Sequence, residues 1–106
     1  MKLCIILILL LFSLSACVSH HYRIAGDQVI LTLRYPDAKK VVLFCSIDGF
    51  KPRHAKQVSN CWELEVPAGE TFRYFYRVDD TVFIPDCLMK EKDDFGFENC
   101  IYDPHL

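Results

Sequence analysis

The sequence predicts an all-β fold, a β-sandwich of about seven short strands. No segment of ten or more residues after the amino-terminal leader shows the apolar spacing of a helix. Short apolar runs are instead separated by turn residues at intervals of roughly 8 to 12 residues, which is typical of sandwiches. The clearest alternation of apolar and polar side chains covers residues 62–66 and 72–78.

The first sixteen residues predict a leader rather than part of the domain. Lys2 precedes an apolar run over residues 3–12. This run is shorter than the roughly 17 to 25 residues of a membrane span and has the length of a signal peptide, about 7 to 15. The small residues Ser15 and Ala16 stand immediately before Cys17.

This pattern resembles the lipobox of bacterial lipoproteins. The resemblance implies that residues 1–16 are removed and that Cys17 carries a thioether-linked diacylglycerol and a further acyl chain on its amine. Several acyl chains anchor a protein firmly in a membrane. Val18, rather than an aspartate, follows Cys17, which implies the outer membrane where a bacterium has two. An ordinary secretory signal that contains Cys17 by chance is the alternative.

Residues 17–106 are enough for one small domain. Without Lys2 the chain keeps 11 basic against 14 acidic residues, a net charge of about −3. A nucleic-acid binder would show a clustered basic surface, so we expect no nucleic-acid partner.

Four cysteines besides Cys17 follow the leader, an even number in an exported chain, which predicts two disulfides. Pairing of Cys45 with Cys61 and of Cys87 with Cys100 is favoured because each closes a short loop. Four cysteines allow three pairings, so the sequence does not decide between them. A zinc site of four thiolates is a weak alternative, because no C-x-x-C pair is present.

The strands follow one another along the chain. Residues 17–27, which include His20 and His21, have no apolar period and predict a tether to a domain over residues 28–106. Residues 28–35 alternate as a half-buried strand, and residues 39–47 form an apolar run typical of a central strand. The polar residues 51–60 predict a loop.

Two amphipathic strands then follow over residues 62–66 and 72–78, joined by the turn Pro67-Ala68-Gly69. Alternation places Trp62, Tyr74 and Tyr76 in the core. Two short strands over residues 82–84 and 99–102 complete the domain, with a solvated loop over residues 89–94 between them.

The order of several motifs resembles one family over most of the chain after the leader. The motifs are CSIDGF (45–50), WELEVPAGE (62–70), YFYRVDD (74–80), PD (85–86) and DFGFEN (94–99). They are similar to the glycogen-binding, early-set modules of branching enzymes, isoamylases and the beta subunit of AMP-activated protein kinase. The resemblance implies an immunoglobulin-like early-set sandwich and a surface site for α-glucan.

The resemblance also implies which residues form this site. The family's first stacking tryptophan falls on Phe50, its apolar loop residue on Phe95 and its ligand-bonding asparagine on Asn99. Its lysine falls on Phe75. Its second tryptophan falls on Val82 or Phe83.

Alternation places Phe75 on the outer face of its strand, between Arg73 and Arg77. There it would extend a sugar-stacking platform or contact a protein partner. Burial under a neighbouring loop is the third interpretation.

Catalysis is not expected, because the acidic pairs Asp79-Asp80 and Asp93-Asp94 fall in turns rather than in a cleft. No serine or free cysteine stands in a motif with His54 or His105. No cofactor or metal is expected. The sequence therefore predicts a noncatalytic envelope lipoprotein that binds α-glucan, or an envelope structural or assembly protein that binds another protein.

Overall fold

The computed structural model describes residues 17–105, and these form a β-sandwich of two antiparallel sheets. The all-β prediction is therefore confirmed. Residues 1–16, where the sequence predicts the signal peptide, lie outside the described residues, as does Leu106. Within residues 17–105, no helix has the length and apolar character needed to cross a bilayer.

Ten strands make up the described part of the chain. In chain order they are β1 (Ser19–Ala25), β2 (Gln28–Arg34), β3 (Val41–Cys45), β4 (Arg53–His54), β5 (Lys56–Val58), β6 (Cys61–Pro67), β7 (Phe72–Val78), β8 (Thr81–Phe83), β9 (Lys90–Lys92) and β10 (Glu98–Tyr102). A 3₁₀ turn, Ser46–Asp48, follows β3.

The first sheet has the strand order β1-β2-β6-β5. A two-residue turn at Gly26 and Asp27 joins β1 to β2. Gly26 has a φ of +64°, a left-handed conformation that glycine adopts without the clash a side chain would cause. Strands β1 and β5 are the two edges of this sheet.

The second sheet has the order β4-β3-β7-β10-β9, and β8 also pairs with β7. Both β8 and β10 lie along the same side of β7, one beside each half of it. The changeover falls at Phe75, since Tyr74 lies opposite Cys100 and Tyr76 lies opposite Phe83. The ladder is therefore interrupted beside Phe75.

The core lies between the sheets and is built from alternate residues of the long strands. Its largest fully buried side chains are those of Tyr76, Phe72, Leu31, Leu33 and Leu43. Fully burying one such apolar side chain contributes roughly 1.5–3 kcal/mol to stability. Trp62, Tyr74 and Tyr76 all belong to this core, as their alternation predicts.

Four of the ten strands lie where the sequence predicted a tether or loops, so the expectation of about seven strands was too low. Residues 19–25 of the predicted tether form β1, and the predicted loops at 51–60 and 89–94 contain β4, β5 and β9. These strands are short or lie at sheet edges, where most of their side chains face solvent. Backbone hydrogen bonds to a neighbouring strand hold them in place. Their sequences have no sustained alternation of apolar and polar residues, so the sequence pattern does not reveal them.

Of the two predicted disulfides, one is present in the structure and the other is not. Cys87 and Cys100 are bonded, with their Cα atoms 6.0 Å apart. The predicted Cys45–Cys61 bridge is wrong, since both residues are free thiols. Cys45 faces the core from β3, whereas Cys61 precedes the inward-facing Trp62 on β6 and so points to the outer face of the first sheet. A small separation in sequence therefore does not bring the sulfur atoms of Cys45 and Cys61 together.

Candidate functional site

Three phenylalanines form a row on the outer face of the second sheet. Phe44 on β3 lies directly opposite Phe75 on β7. Their rings stack with centroids 5.1 Å apart and planes inclined by 11°. The ring of Phe50 stacks on Phe75 at 6.2 Å and 24°. Phe75 therefore faces outward, as predicted, and is half-buried by aromatic neighbours.

Phe50 is placed in this row by the chain reversal that follows β3. Its φ is +63°, a left-handed conformation that is costly for a bulky side chain. The reversal is held by the Phe50 backbone N–H, which donates to the Cys45 carbonyl at 2.9 Å. Strain of this kind is stored at functional sites when the surrounding structure holds it in place.

The ion pair between Asp48 and Arg53 stabilises the chain reversal that carries Phe50. Arg53 Nε donates to Asp48 Oδ2 at 2.8 Å. The Lys51 backbone N–H donates to Asp48 Oδ1 at 3.2 Å. The hydrogen bond from Arg53 holds the pKa of the Asp48 carboxyl below its ordinary value. Asp48 therefore stays ionised and fixes the loop that carries Phe50.

Two arginines of β7 flank the aromatic row. The Arg77 guanidinium carbon lies 5.9 Å from the centre of the Phe44 ring, within the range of a cation–π contact. Arg73 Nε pairs with Glu91 Oε1 at 2.9 Å. Both arginine side chains remain exposed, so polar groups border the row.

A groove of about 320 Å³ opens beside Phe75, where β7 changes its partner from β8 to β10. Phe75, Val82 and Ile84 supply apolar walls, and Asp93, Phe97, Glu98 and Asn99 complete its lining. Asn99 is 7 % exposed. It is turned away from the core, because its neighbour Cys100 faces inward. The groove therefore combines an aromatic surface with an amide and two carboxylates.

The structure brings three of the four predicted sugar-site residues together. Phe50 stacks on Phe75, and Phe75 shares the groove with Asn99. The fourth, Phe95, is 86 % exposed and does not line the groove. Phe97, which the sequence did not single out, occupies the groove wall instead.

Asp93 explains why Phe95 and Phe97 differ. Its Oδ1 accepts hydrogen bonds from the backbone N–H groups of Phe95 at 2.9 Å and Phe97 at 3.0 Å. The resulting tight turn between β9 and β10 places Phe95 at its tip. Two phenylalanines two residues apart are equivalent in the sequence pattern, so this turn geometry is needed to tell them apart.

Val82 and Phe83, the two positions that could correspond to the family's second tryptophan, differ in their surroundings. Val82 is exposed and lines the groove. Phe83 turns inward and packs edge-on against Tyr35, with ring centroids 5.3 Å apart. Only Val82 is therefore available to a ligand.

A second cavity, of about 380 Å³, lies at the open side of the sandwich between β1 and the segment before β9. Here His20 Nε2 lies 2.8 Å from the hydroxyl oxygen of Tyr76. Burial, together with the neighbouring His21, lowers the pKa of His20 to about 4. The buried Tyr102 hydroxyl in the cavity wall has no hydrogen-bond partner in the protein.

Residues 17–105 contain no cluster of three or more histidine, cysteine, aspartate or glutamate side chains placed to bind a metal ion. Comparison with known proteins finds no matching protein-family model and no matching curated protein.

Proposed function

We propose that this protein is a noncatalytic lipoprotein of the cell envelope that binds an α-glucan on the outer face of its second sheet. The observation that carries the proposal is the juxtaposition of Phe50, Phe75 and Asn99 along one row and groove. The lipobox-like sequence before Cys17 supports the anchor, and the resemblance to glycogen-binding modules supports the choice of ligand.

The groove offers the two kinds of contact that a glucose unit needs. The axial hydrogens of a glucose ring form an apolar face that stacks on a flat aromatic surface. Its hydroxyls need polar partners, which the Asn99 amide and the carboxylates of Asp93 and Glu98 supply. The partly exposed Phe50 extends the aromatic surface beyond the groove, which suits a chain of sugars better than a single one.

The same groups support binding rather than hydrolysis. A glycosidase needs an acid and a nucleophile or base about 5 to 9.5 Å apart on either side of the scissile bond. Asp93 already accepts two backbone hydrogen bonds within its own turn. Its role in that turn fits a structural carboxylate that borders a binding surface.

The test is a calorimetric titration of a Cys17→Ser chain, which cannot be acylated at that residue, with maltoheptaose. We expect heat of binding in the wild-type domain and loss of most of it in Phe75→Ala and Asn99→Ala. Phe97→Ala should weaken binding, whereas the matched control Phe95→Ala should leave it unchanged. Absence of heat and of retention on glycogen at millimolar ligand would refute the sugar ligand.

A protein ligand is the second candidate, because arginines flank an outward-facing, partly exposed aromatic row, and both residue types are enriched at protein interfaces. In this case crosslinking in intact cells should give a specific product that Phe75→Asp abolishes. An unchanged product in Phe75→Asp would count against this alternative.

The anchor is tested separately. Mass spectrometry of the native chain should show a cleaved leader and an acylated Cys17. Cys17→Ser should release the protein from the membrane fraction. An unmodified cysteine at the new amino terminus would refute the anchor and leave the groove proposal intact.

A further inference from the structure

Strand β1 begins only two residues after Cys17. Two extended residues span at most about 7 Å. If Cys17 carries the lipid, as proposed above, the folded domain has no spacer that could hold it away from the bilayer. One side of the sandwich must then lie against the membrane surface.

Strand β1 is an edge of the first sheet, and most of its residues are exposed, so its inner face is only partly covered. Alternation places Tyr22 and Ile24 on the same face as His20, which contacts the core residue Tyr76. Tyr22 and Ile24 are nevertheless 47 % and 61 % exposed. Val18 precedes the strand in the same alternation and is also exposed.

Leu88 faces the same opening from the segment that connects β8 to β9. It lines the 380 Å³ cavity together with Tyr22 and is 96 % exposed. Its neighbour Cys87 is bonded to Cys100, and the Ile101 backbone N–H donates to the Met89 carbonyl at 2.9 Å. Leu88 thus adds a second exposed apolar side chain to Tyr22 at the same opening, and apolar side chains grouped in this way indicate a contact surface.

We propose that this side, defined by Val18, Tyr22, Ile24 and Leu88, docks on the phospholipid bilayer that holds the acyl chains of Cys17. The proposal rests on the proposed lipid anchor. Tyr22 has the amphipathic ring that is enriched at membrane interfaces, and Leu88 enters the apolar layer beneath the headgroups.

The bilayer is favoured over a protein partner because the anchored residue and three of the four exposed apolar side chains, Val18, Tyr22 and Ile24, lie within residues 17–24. The docking side also shares no lining residue with the groove of Phe75 and Asn99. The docking side and the candidate glucan site are therefore formed by different residues.

The charges around the opening predict how docking depends on the charge of the lipid headgroups. Asp86 and Asp103 line the cavity, and Arg23 on the other face of β1 lies 4.0 Å from Glu63. No excess of positive charge faces the bilayer in the described part of this side. Docking should therefore depend on apolar contact, and it should neither weaken at high salt nor strengthen with the fraction of anionic lipid.

The test places a tryptophan at the docking side of the acylated, full-length protein. Leu88→Trp is compared with Lys56→Trp, an exposed position on β5 at the opposite edge of the first sheet. Both proteins are reconstituted in vesicles of phosphatidylethanolamine and phosphatidylglycerol (3:1) with brominated acyl chains. The unsubstituted chain, whose one tryptophan is the buried Trp62, supplies the background.

We expect the brominated lipid to quench Leu88→Trp strongly and to quench Lys56→Trp no more than the background. Equal quenching at 1:1 lipid composition and at high salt would support apolar docking. If both variants sediment with the vesicles and Leu88→Trp is not quenched, the docking proposal is overturned and the anchor stands.

Two further outcomes contradict the proposal in different ways. Failure of the unsubstituted protein to sediment with vesicles would overturn the anchor and docking together. A doubled mass of the Cys17→Ser chain in solution that Leu88→Asp restores to a monomer would assign this side to a second copy instead.

Discussion

Phe44 and Phe75 occupy directly opposed positions on β3 and β7, and their rings stack 5.1 Å apart at 11° to one another. Phe75 thus packs against Phe44 on the β3 side of β7 and lines the groove on the opposite side, where β8 and β10 pair with β7. The row of Phe44, Phe50 and Phe75 therefore contributes both to the stability of the sheet and to the shape of the candidate site.

A double-mutant cycle on this pair should measure the coupling. Stacked aromatic pairs contribute roughly 0.5–1.5 kcal/mol beyond the area that they bury. We expect Phe44→Ala and Phe75→Ala, combined in the Cys17→Ser chain, to show a coupling of about this size in urea denaturation. The pair Phe44→Ala and Phe95→Ala is the matched control and should be additive to within about 0.5 kcal/mol. Additivity in the stacked pair would show that the rings do not support one another.

The sequence predicted the parts of the fold that bury side chains on one face. The alternation in β6 and β7 placed Trp62, Tyr74 and Tyr76 inside and Phe75 outside, and the structure agrees. It did not reveal β1, whose residues are mostly exposed on both faces, because pairing with β2 rather than burial makes it a strand. Periodicity detects one-sided burial and not backbone pairing.

The candidate site was predictable at the level of single residues but not as an arrangement. The resemblance pointed to Phe50 and Asn99, but their relation to Phe75 depends on where β7 exchanges β8 for β10. Similarly, loop length favoured a bond between Cys45 and Cys61, whereas the choice depends on the faces to which β3 and β6 turn these residues. Both the pairing partners of β7 and the faces to which β3 and β6 turn their cysteines depend on contacts between segments that are distant in sequence, which the local sequence pattern does not contain.

The single disulfide of the described chain gives a prediction for the cysteines. The Cys87–Cys100 bridge spans 13 residues, and loss of a bridge of this length costs roughly 3 kcal/mol. The double substitution to serine should lower the free energy of unfolding by about this amount. Cys61→Ser should change it little. Equal stability with and without the bridge would contradict the expectation.

The free thiols of Cys45 and Cys61 should differ in reactivity. Cys45 is fully buried, and burial raises the pKa of its thiol, so its reactive thiolate is suppressed. Cys61 is partly exposed. Alkylation of the folded domain of residues 17–106 with Cys17→Ser, which lacks Cys4, should modify Cys61 alone, and alkylation in denaturant should modify both Cys45 and Cys61. Mass spectrometry of the peptides decides this, and a Cys45–Cys61 peptide linked by a disulfide would contradict the structure.

The turn between β7 and β8 contains two aspartates whose expected responses to substitution are opposite. Asp79 Oδ1 accepts hydrogen bonds from the backbone N–H groups of Lys39 and Lys40, each at 2.9 Å. Asp80 has a φ of +67° and only an exposed ion pair with Lys40. We expect Asp79→Ala to destabilise by about 1–3 kcal/mol and Asp80→Gly to stabilise by up to about 1 kcal/mol. Urea denaturation measures both, and destabilisation by Asp80→Gly would show that its ion pair outweighs the relief of backbone strain.

His20 should make the stability of the domain depend on pH in a defined window. Burial lowers its pKa to about 4 in the folded state from the ordinary value of 6.5, and the neutral ring lies 2.8 Å from the Tyr76 hydroxyl. Between these two values the unfolded chain binds a proton that the folded chain does not. The free energy of unfolding should therefore fall as the pH is lowered from about 6.5 to about 4 and be independent of this group above and below that window.

The size of this effect has a ceiling of about 3 kcal/mol, since each unit of pKa corresponds to about 1.4 kcal/mol. His20→Gln should remove the fall, whereas His21→Gln, at the exposed neighbouring position, should largely retain it. The lowered pKa of Asp48 affects stability only below about pH 4, outside the window, because its unfolded value is 3.8. Urea denaturation of the Cys17→Ser chain at a series of pH values supplies the measurement. The same slope in wild type and His20→Gln would show that His20 is not the group responsible.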